Sequence, residues 1–349
     1  MLRSLHELFP QAPTFTLVHD PLKTEGVFSK WDVRTSFLQK IPGAIRGYKY
    51  FLPLMTKAIE SFNFGDYDLV ISDSSAFAKG VITRKPTVHI SYCHTPTRYL
   101  WQETDDYVAN INYSSAVKWL ARHYLPRLKK WDYRAARRPD YFIANSQTVR
   151  ERIKNYYDRD SEVIYPPVDT GFFTPTSHQP PPKSYYLTGS RLVQYKRIDL
   201  VIEAFNRLDT PLIVAGDGPE LENLKRKVRN PKIEFLGDVS DEELRELYQE
   251  AKAFIFPAHE DAGIMVLESL ACGTPVIGLK AGGTGEFVKD GVHGVLFLRP
   301  KTEDIIEAIN RFQPTNFDPQ ILKARALEFD KAKFKEKIKD FVSKVLAND

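Results

Sequence analysis

Cysteine is almost absent from this chain: among 349 residues there are only Cys93 and Cys272. Two thiols so far apart give neither a disulfide framework nor a thiolate metal set, so a reducing cytoplasm is the expected setting. Long hydrophobic runs are missing too. No stretch approaches the roughly 20 apolar residues that cross a bilayer, and the opening MLRSLHELFPQAP lacks the apolar region of a secretory signal. An excess of one charge is also lacking. The net charge of +4 is too mild to argue for nucleic acid, and none is expected as a partner. Finally, the dinucleotide fingerprint G-x-G-x-x-G does not occur. Gly216-Asp217-Gly218-Pro219 follows a strand but has the wrong spacing, which leaves a redox dinucleotide enzyme a distant reading.

What is present is ample apolar material. Hydrophobic residues make up 42% of the chain, enough for two cores and two domains of ordinary size. The proline-rich stretch His178–Lys183 reads as a linker. The expected layout is a first domain over 1–172, a second over 183–330 and a closing helix over 331–349. Phe334, Ile338, Phe341, Val342 and Val345 share one face of that helix.

The richest stretch is Ala253–Gly278. Ala253–Phe256 reads as a buried strand, His259-Glu260-Asp261 as a polar loop and Gly263–Leu270 as a helix stopped by Gly273 and Pro275. Val276 and Ile277 begin the next strand. This is a unit of an open parallel sheet, whose ligands bind beyond the carboxyl ends of the strands. Glu260 stands in the loop and Glu268 about one turn into the helix. Between them, the N–H groups near Gly263, Ile264 and Met265 are helix-terminal donors suited to an anion. Carboxylates for hydroxyl groups and amides for phosphate together suit a nucleotide-sugar.

Earlier in the second half, Tyr185–Thr188 reads as a strand that delivers Gly189-Ser190-Arg191-Leu192-Val193-Gln194-Tyr195-Lys196-Arg197 to a helix. Arg191 and Lys196 at that junction are a forked and a compact cation, suited to two phosphates. Ile233–Leu236 is a further strand, with Val239 at its exit. Gly282-Gly283-Thr284-Gly285-Glu286 opens another helix and reads equally as a tight turn or a ligand contact.

The first half is looser. Leu2–Phe9 reads as a short helix and Thr14–Val18 as a strand. Asp66 and Asp68 form a D-x-D pair but precede the strand beginning at Leu69, so they read as strand-entry acids rather than a cation site. Asp73, Ser74 and Ser75 make that strand's polar exit. The strand Thr87–Tyr92 runs into Cys93-His94-Thr95-Pro96-Thr97-Arg98-Tyr99-Leu100-Trp101, which puts His94 at a strand's carboxyl end. Asp140–Ser146 is another strand, with Ser146 as the cap of the helix after it. Residues 117–138 read as an amphipathic helix with Val117, Leu120, Ala121, Tyr124, Leu128 and Trp131 at helical spacing. Lys118, Arg122, Arg127, Lys129, Lys130, Arg134, Arg137 and Arg138 lie along it, opposed only by Asp132. That set is either a solvated face or a patch for anionic lipid headgroups.

These strings resemble glycosyltransferase family 4, a retaining family with the GT-B fold: two Rossmann-like domains facing a cleft. The hallmark is a Glu, seven residues and a second Glu, here Glu260 and Glu268, followed by ACGTPVI. G-S-R-L-V-x-Y-K-R is similar to the family's donor-diphosphate motif, and HTPTRYLW resembles the matching loop of its mannosyltransferase-like members. The resemblance implies transfer of a hexose from a nucleotide-diphosphate sugar to an acceptor hydroxyl, without metal or other cofactor. It implies that Arg191 and Lys196 hold the diphosphate and that Glu268 holds the ribose. Val239 would flank the base, while Glu260 and His94 would meet the donor sugar. GDP-mannose is the favoured donor, with UDP-sugars open. The acceptor would be lipid-linked or a saccharide, in cell-surface polysaccharide or glycolipid synthesis, with the enzyme cytoplasmic or peripheral on the membrane's inner face.

Two departures qualify this. An aromatic usually precedes the loop glycine, where this chain has Ala262, which widens the sugar pocket. The family's opening strand and glycine-rich loop have no counterpart before Leu2, so a truncated first domain is expected, checked by mass spectrometry of the native N-terminus. A non-catalytic sugar-nucleotide-binding protein is the alternative reading.

Overall fold

A computed structural model describes residues 1–24, 26–102, 115–176 and 184–347; for residues 49 and 115–121 it describes the backbone alone. The proline-rich stretch at 178–183 lies outside the described residues. The chain forms two compact units, Met1–Ile164 with Lys339–Asp349, and Tyr165–Ile338. The division falls ahead of the expected boundary at 172. Past Ile164 the chain already packs into the second core: Val168 N–H donates to Phe329 C=O at 3.0 Å, and the Phe173 ring meets Tyr248 edge-on.

The second unit is a six-stranded, wholly parallel sheet. Its strands are β7 (Tyr186–Gly189), β8 (Leu212–Ala215), β9 (Ile233–Gly237), β10 (Phe254–Phe256), β11 (Val276–Leu279) and β12 (Gly294–Phe297), in spatial order β12-β11-β10-β7-β8-β9. The strands β7, β10, β11 and β12 are buried along their whole length. This is why they appear in the sequence as short continuous apolar runs. Edge strand β9 alternates inward and outward instead. The strand order reverses between β7 and β10, which are adjacent in the sheet although far apart in the chain. Their exit loops therefore leave side by side at the carboxyl edge, where a crevice opens.

The first unit holds a parallel sheet of β3 (Leu69–Ser74), β4 (Val88–Cys93), β5 (Tyr141–Ala144) and β6 (Glu162–Val163), in that order, and a separate parallel pair, β1 (Thr14–Thr16) with β2 (Val33–Thr35). Ser146 caps the helix Gln147–Tyr157, its hydroxyl accepting from Val149 N–H at 3.2 Å. Ser146→Ala should lower the stability of this unit by about 1 kcal/mol, read from the urea midpoint. The apolar face of the helix Lys331–Leu346 is buried at Phe334, Ile338, Phe341, Val342 and Val345.

The helix Ser115–Ala135 needs one correction. Asp132 does not oppose the cations of its surface. It points inward, with its residue 1% exposed, and pairs with buried Lys79 at 2.5 Å. Thr97 and Lys79 share one carboxylate oxygen, while Trp101 Nε1 and the Tyr157 hydroxyl donate to the other. A buried carboxylate demands partners at each lone pair, and these four supply them. The outer face, from Arg122 on, exposes Arg122, Arg127, Lys129, Lys130, Arg134 and Arg137. The side chains of Val117, Lys118, Leu120 and Ala121 lie outside the described set.

Candidate active site

The crevice of the second unit is assembled from the exits of β7 and β10. After β7 the chain passes Ser190–Val193 and makes a single 3-10 turn, Gln194–Lys196, before the helix Ile198–Phe205. This loop is held from behind by the exit of β8. Leu192 N–H donates to Asp217 C=O at 2.8 Å, and Glu220 N–H to Leu192 C=O at 3.0 Å. A side chain at Gly218 would run into Leu192 backbone. The Gly216–Gly218 segment is therefore a brace for the cation-bearing loop, which gives its glycines a role that needs no cofactor.

On that loop Arg191 is exposed and no described group pairs with its guanidinium. Lys196 turns inward, and its Nζ lies 3.0 Å from Glu260 Oε1 on the exit of β10. The two side chains are only 13% and 18% exposed. The ammonium also sits over the rings of Tyr195 and Phe256, each 5.6 Å from its centroid. The approach is an ion pair without hydrogen-bond alignment, so Glu260 Oε1, though buried, still lacks a hydrogen-bond donor.

Gly263 ends the loop at φ +62 and begins the helix Ile264–Ala271. A left-handed conformation there suits glycine. No described acceptor takes the N–H groups of Gly263, Ile264 or Met265, which stand at the positive end of this helix. Ile264 is exposed and Met265 half-buried.

Glu268 lies farther along the same helix. It keeps some surface contact, yet protein encloses its carboxylate enough to raise its pKa from 4.5 to about 7. Burial is the main cause and the nearby charge of Asp241 adds to it, while a bond from the Tyr248 hydroxyl at 3.4 Å opposes the shift. Val239 follows β9, half-buried against the core, just ahead of the capping box of Ser240 and Glu243.

The paired glycines resolve as braces. Gly283 N–H donates to Glu260 C=O at 2.8 Å, and a side chain on Gly282 or Gly283 would collide with the Glu260 or Ala262 carbonyl. Thr284, absent from the sequence-based set, lies beside these residues. Its buried hydroxyl has no hydrogen-bond partner and lies near the Cβ position of Gly263. The unused amides and the Thr284 hydroxyl are donors suited to an anion, while Glu260 Oε1 offers an acceptor to a ligand hydroxyl.

The first unit carries its own polar cluster. Ser74 and Cys93 pair in register across β3 and β4, so both strands end together. His94 Nε2 bonds Asp73 Oδ1 at 2.5 Å, and the imidazole packs edge-on to Tyr92. Asp73 fixes the ring's orientation, a role invisible until the register of the two strands is known. Asp66 and Asp68 precede β3, as expected. Among the described residues no group of three His, Cys, Asp or Glu could hold a metal ion.

Two parallel Rossmann-like sheets, the second with its crevice at the point where strand order reverses, define the GT-B class of α/β proteins. The fold of Anabaena HepE, solved with UDP and glucose, matches with a TM-score of 0.71 at 19% identity, over 98% of this chain and 95% of that one. Sucrose-phosphate synthase from Thermosynechococcus elongatus matches at 0.75 with 15% identity, over 100% and 93%. The family model Glycosyltransferase Family 4 covers residues 16–172 and that of Glycosyl transferases group 1 covers residues 174–325. The chain belongs to the family 4-type glycosyltransferases.

Curated relatives include the D-inositol 3-phosphate glycosyltransferase of Nocardioides sp., 26% identical over 225 residues, 54% of this chain and 49% of that protein. An uncharacterized glycosyltransferase of Methanocaldococcus jannaschii is 31% identical over 121 residues, 34% of each. The matched stretches thus span about a third to a half of those relatives' length.

Proposed function

We propose that the protein moves a hexose from a nucleotide-diphosphate sugar to an acceptor hydroxyl with retention of configuration. The observation that carries this reading is the Lys196–Glu260 pair at 3.0 Å, set against the free amides of the helix Ile264–Ala271. In the proposed step the bond from the anomeric carbon to the diphosphate oxygen breaks. The acceptor oxygen bonds that carbon on the same face, and its proton passes to the departing phosphate. The transition state resembles an oxocarbenium ion, while negative charge grows on the diphosphate. Arg191, Lys196 and the amides of Gly263, Ile264 and Met265 oppose that charge. The Thr284 hydroxyl adds a donor. Glu260 holds sugar hydroxyls, Glu268 the ribose and Val239 the face of the base. His94, oriented by Asp73, is assigned to the donor sugar by its loop's resemblance.

GDP-mannose is the proposed donor, on the HTPTRYLW loop. UDP-glucose is the competing choice, since a structural neighbour was solved with UDP-glucose. A thermal-shift panel of GDP-mannose, UDP-glucose and UDP-N-acetylglucosamine ranks them, because a ligand that binds only the native state raises Tm. Stabilisation followed by release of nucleoside diphosphate supports the transferase. Stabilisation without turnover supports a binding protein, and no shift with any donor rejects both.

Gly282→Ala tests the brace independently. At φ +55, with the Glu260 carbonyl behind it, an added methyl must displace the loop. The expected result is about a tenfold loss in nucleoside-diphosphate affinity by calorimetry, or about 1.4 kcal/mol.

The cationic outer face of the helix Ser115–Ala135 is proposed to rest on anionic lipid, each basic residue adding roughly 1 kcal/mol. No described helix is long and apolar enough to cross a membrane. A lipid-linked acceptor would be met at such a surface. Pelleting with phosphatidylserine vesicles, and none with phosphatidylcholine, is the expected outcome. Equal pelleting with both removes the idea.

A further inference from the structure

The backbone ladder that holds β4 fades where the strand hands over to its exit loop. Val88 N–H reaches Asp68 C=O at 2.8 Å at the start of the strand, whereas His94 N–H reaches Ser74 C=O at 3.4 Å just past its end. That is long for an N–H···O bond. The sheet therefore gives His94 little support, and its side chain is 36% exposed. Beyond His94 the chain is gripped again, by one carboxylate. Asp132 Oδ1 accepts from the Thr97 hydroxyl at 2.9 Å, and Oδ2 accepts from Trp101 Nε1 at 2.8 Å. The same Oδ1 takes Lys79 Nζ, which also donates to Ala76 C=O at 2.6 Å. Ala76 and Ala78 in turn donate their N–H groups to Ser74 Oγ, each at 3.1 Å. The exit of β3, which follows Asp73, and the exit of β4, which begins at His94, thus meet at Asp132.

Stability alone does not call for this arrangement. A buried ion pair adds little over apolar side chains of the same volume. What a fully satisfied buried network adds is a single geometry. Here that geometry is the placement of two exit loops. We propose that Asp132 is a positioning residue for the transfer reaction: it ties the exits of β3 and β4 to one point, so that the His94 imidazole stays on Asp73 in the one orientation the reaction uses. Asp132 itself is 1% exposed and acts through the loops. The inference rests on the assignment of His94 to the donor sugar.

The test cuts the links to the loop and leaves the ion pair. Thr97→Val keeps the side chain's shape without its hydroxyl, and Trp101→Phe keeps a ring against Tyr156 without the indole N–H. Asp132 retains Lys79 and Tyr157 in this double variant. The first readout is the His94 ring in nitrogen-15 spectra of histidine-labelled protein, recognised as the signal lost in His94→Ala. The wild type should give one sharp signal and the double variant a broadened or doubled one. Met55→Ala, a core truncation beside Leu38 and Ala58, should lower Tm at least as much and leave that signal as it is. These spectra need no turnover, so they stand whichever donor the protein uses. The second readout is release of nucleoside diphosphate from GDP-mannose and from UDP-glucose. The double variant should turn over about tenfold to a hundredfold more slowly, as a displacement on the order of 1 Å can cause, with KM for the donor within about twofold. In the His94→Ala background the same two substitutions should change turnover by less than about twofold, because nothing is left to place. A His94 signal unchanged in the double variant overturns the proposal, as does equal broadening in Met55→Ala or an equal loss of turnover with and without His94. Full turnover in His94→Ala rejects the donor-sugar assignment and the positioning role with it. A costly His94→Ala beside a harmless double variant rejects the positioning role alone. If the double variant does not fold, Thr97→Val by itself carries the same comparisons.

Discussion

Replacing Lys196 with alanine is expected to lower transfer by about two to three orders of magnitude, with release of nucleoside diphosphate as the readout. Two effects act in the same direction. The variant loses the cation that faces charge growing on the leaving group. It also frees Glu260, whose half-buried carboxylate then repels the diphosphate instead of pairing with the ammonium 3.0 Å away. Arg191 is exposed and works through more screened charge, so Arg191→Ala should cost about tenfold to a hundredfold by the same electrostatic argument. The second effect can be isolated. Adding Glu260→Gln to Lys196→Ala removes the repulsion, so nucleoside-diphosphate affinity should partly recover, with a coupling of about 1–2 kcal/mol in the double-mutant cycle. Unchanged turnover in both Lys196→Ala and Arg191→Ala would falsify the assignment of this loop to the diphosphate.

Glu268→Gln should make the protein more stable and less able to bind donor. The folded chain holds the Glu268 proton up to about pH 7, against 4.5 for an ordinary glutamate. The unfolded chain binds fewer protons across that interval, so wild-type stability falls as pH rises through it. The contribution of this group is complete below pH 4.5 and gone above pH 7. Two and a half pH units correspond to about 3 kcal/mol. Glutamine cannot ionise, so the variant should match wild type near pH 4 and exceed it by up to about 3 kcal/mol at pH 8, read from paired urea titrations. Donor binding runs the other way. The ionised carboxylate is the better acceptor for ribose hydroxyls, so wild-type affinity should rise with pH through 7. The variant should bind about tenfold to a hundredfold more weakly at pH 8. A stability difference that is flat in pH would contradict the burial of Glu268. Such a trade, in which a buried charge weakens the fold and serves the ligand, is common at functional sites.

Most of the second unit was legible in the sequence because four of its six strands are buried along their whole length. Leu212–Ala215 begins and ends where the apolar run does, and the helix after Gly263 starts where the glycine stands. The candidate site residues Lys196 and Glu260 were legible as types, whereas their contact depended on β7 and β10 being neighbours, a property of the sheet order. Thr284 was hidden because a threonine in a glycine-rich turn reads as a turn residue. The first unit was harder. β2 is a three-residue strand, Val33–Thr35, too short and too polar to show a period. Asp132, flanked by cations, read as a surface acid, because its true partner Lys79 lies on a different element.

The Lys79–Asp132 pair also constrains how this chain can vary. Asp132 ties Thr97 and Trp101, and so the loop that begins at His94, to the interior. Losing either charge alone leaves the other stranded in a dry interior, at about 3–5 kcal/mol, a large part of a domain's total stability. Variation at these two positions must therefore come as a coupled exchange, both charged or both uncharged. A library randomised at the pair should return survivors only along that diagonal.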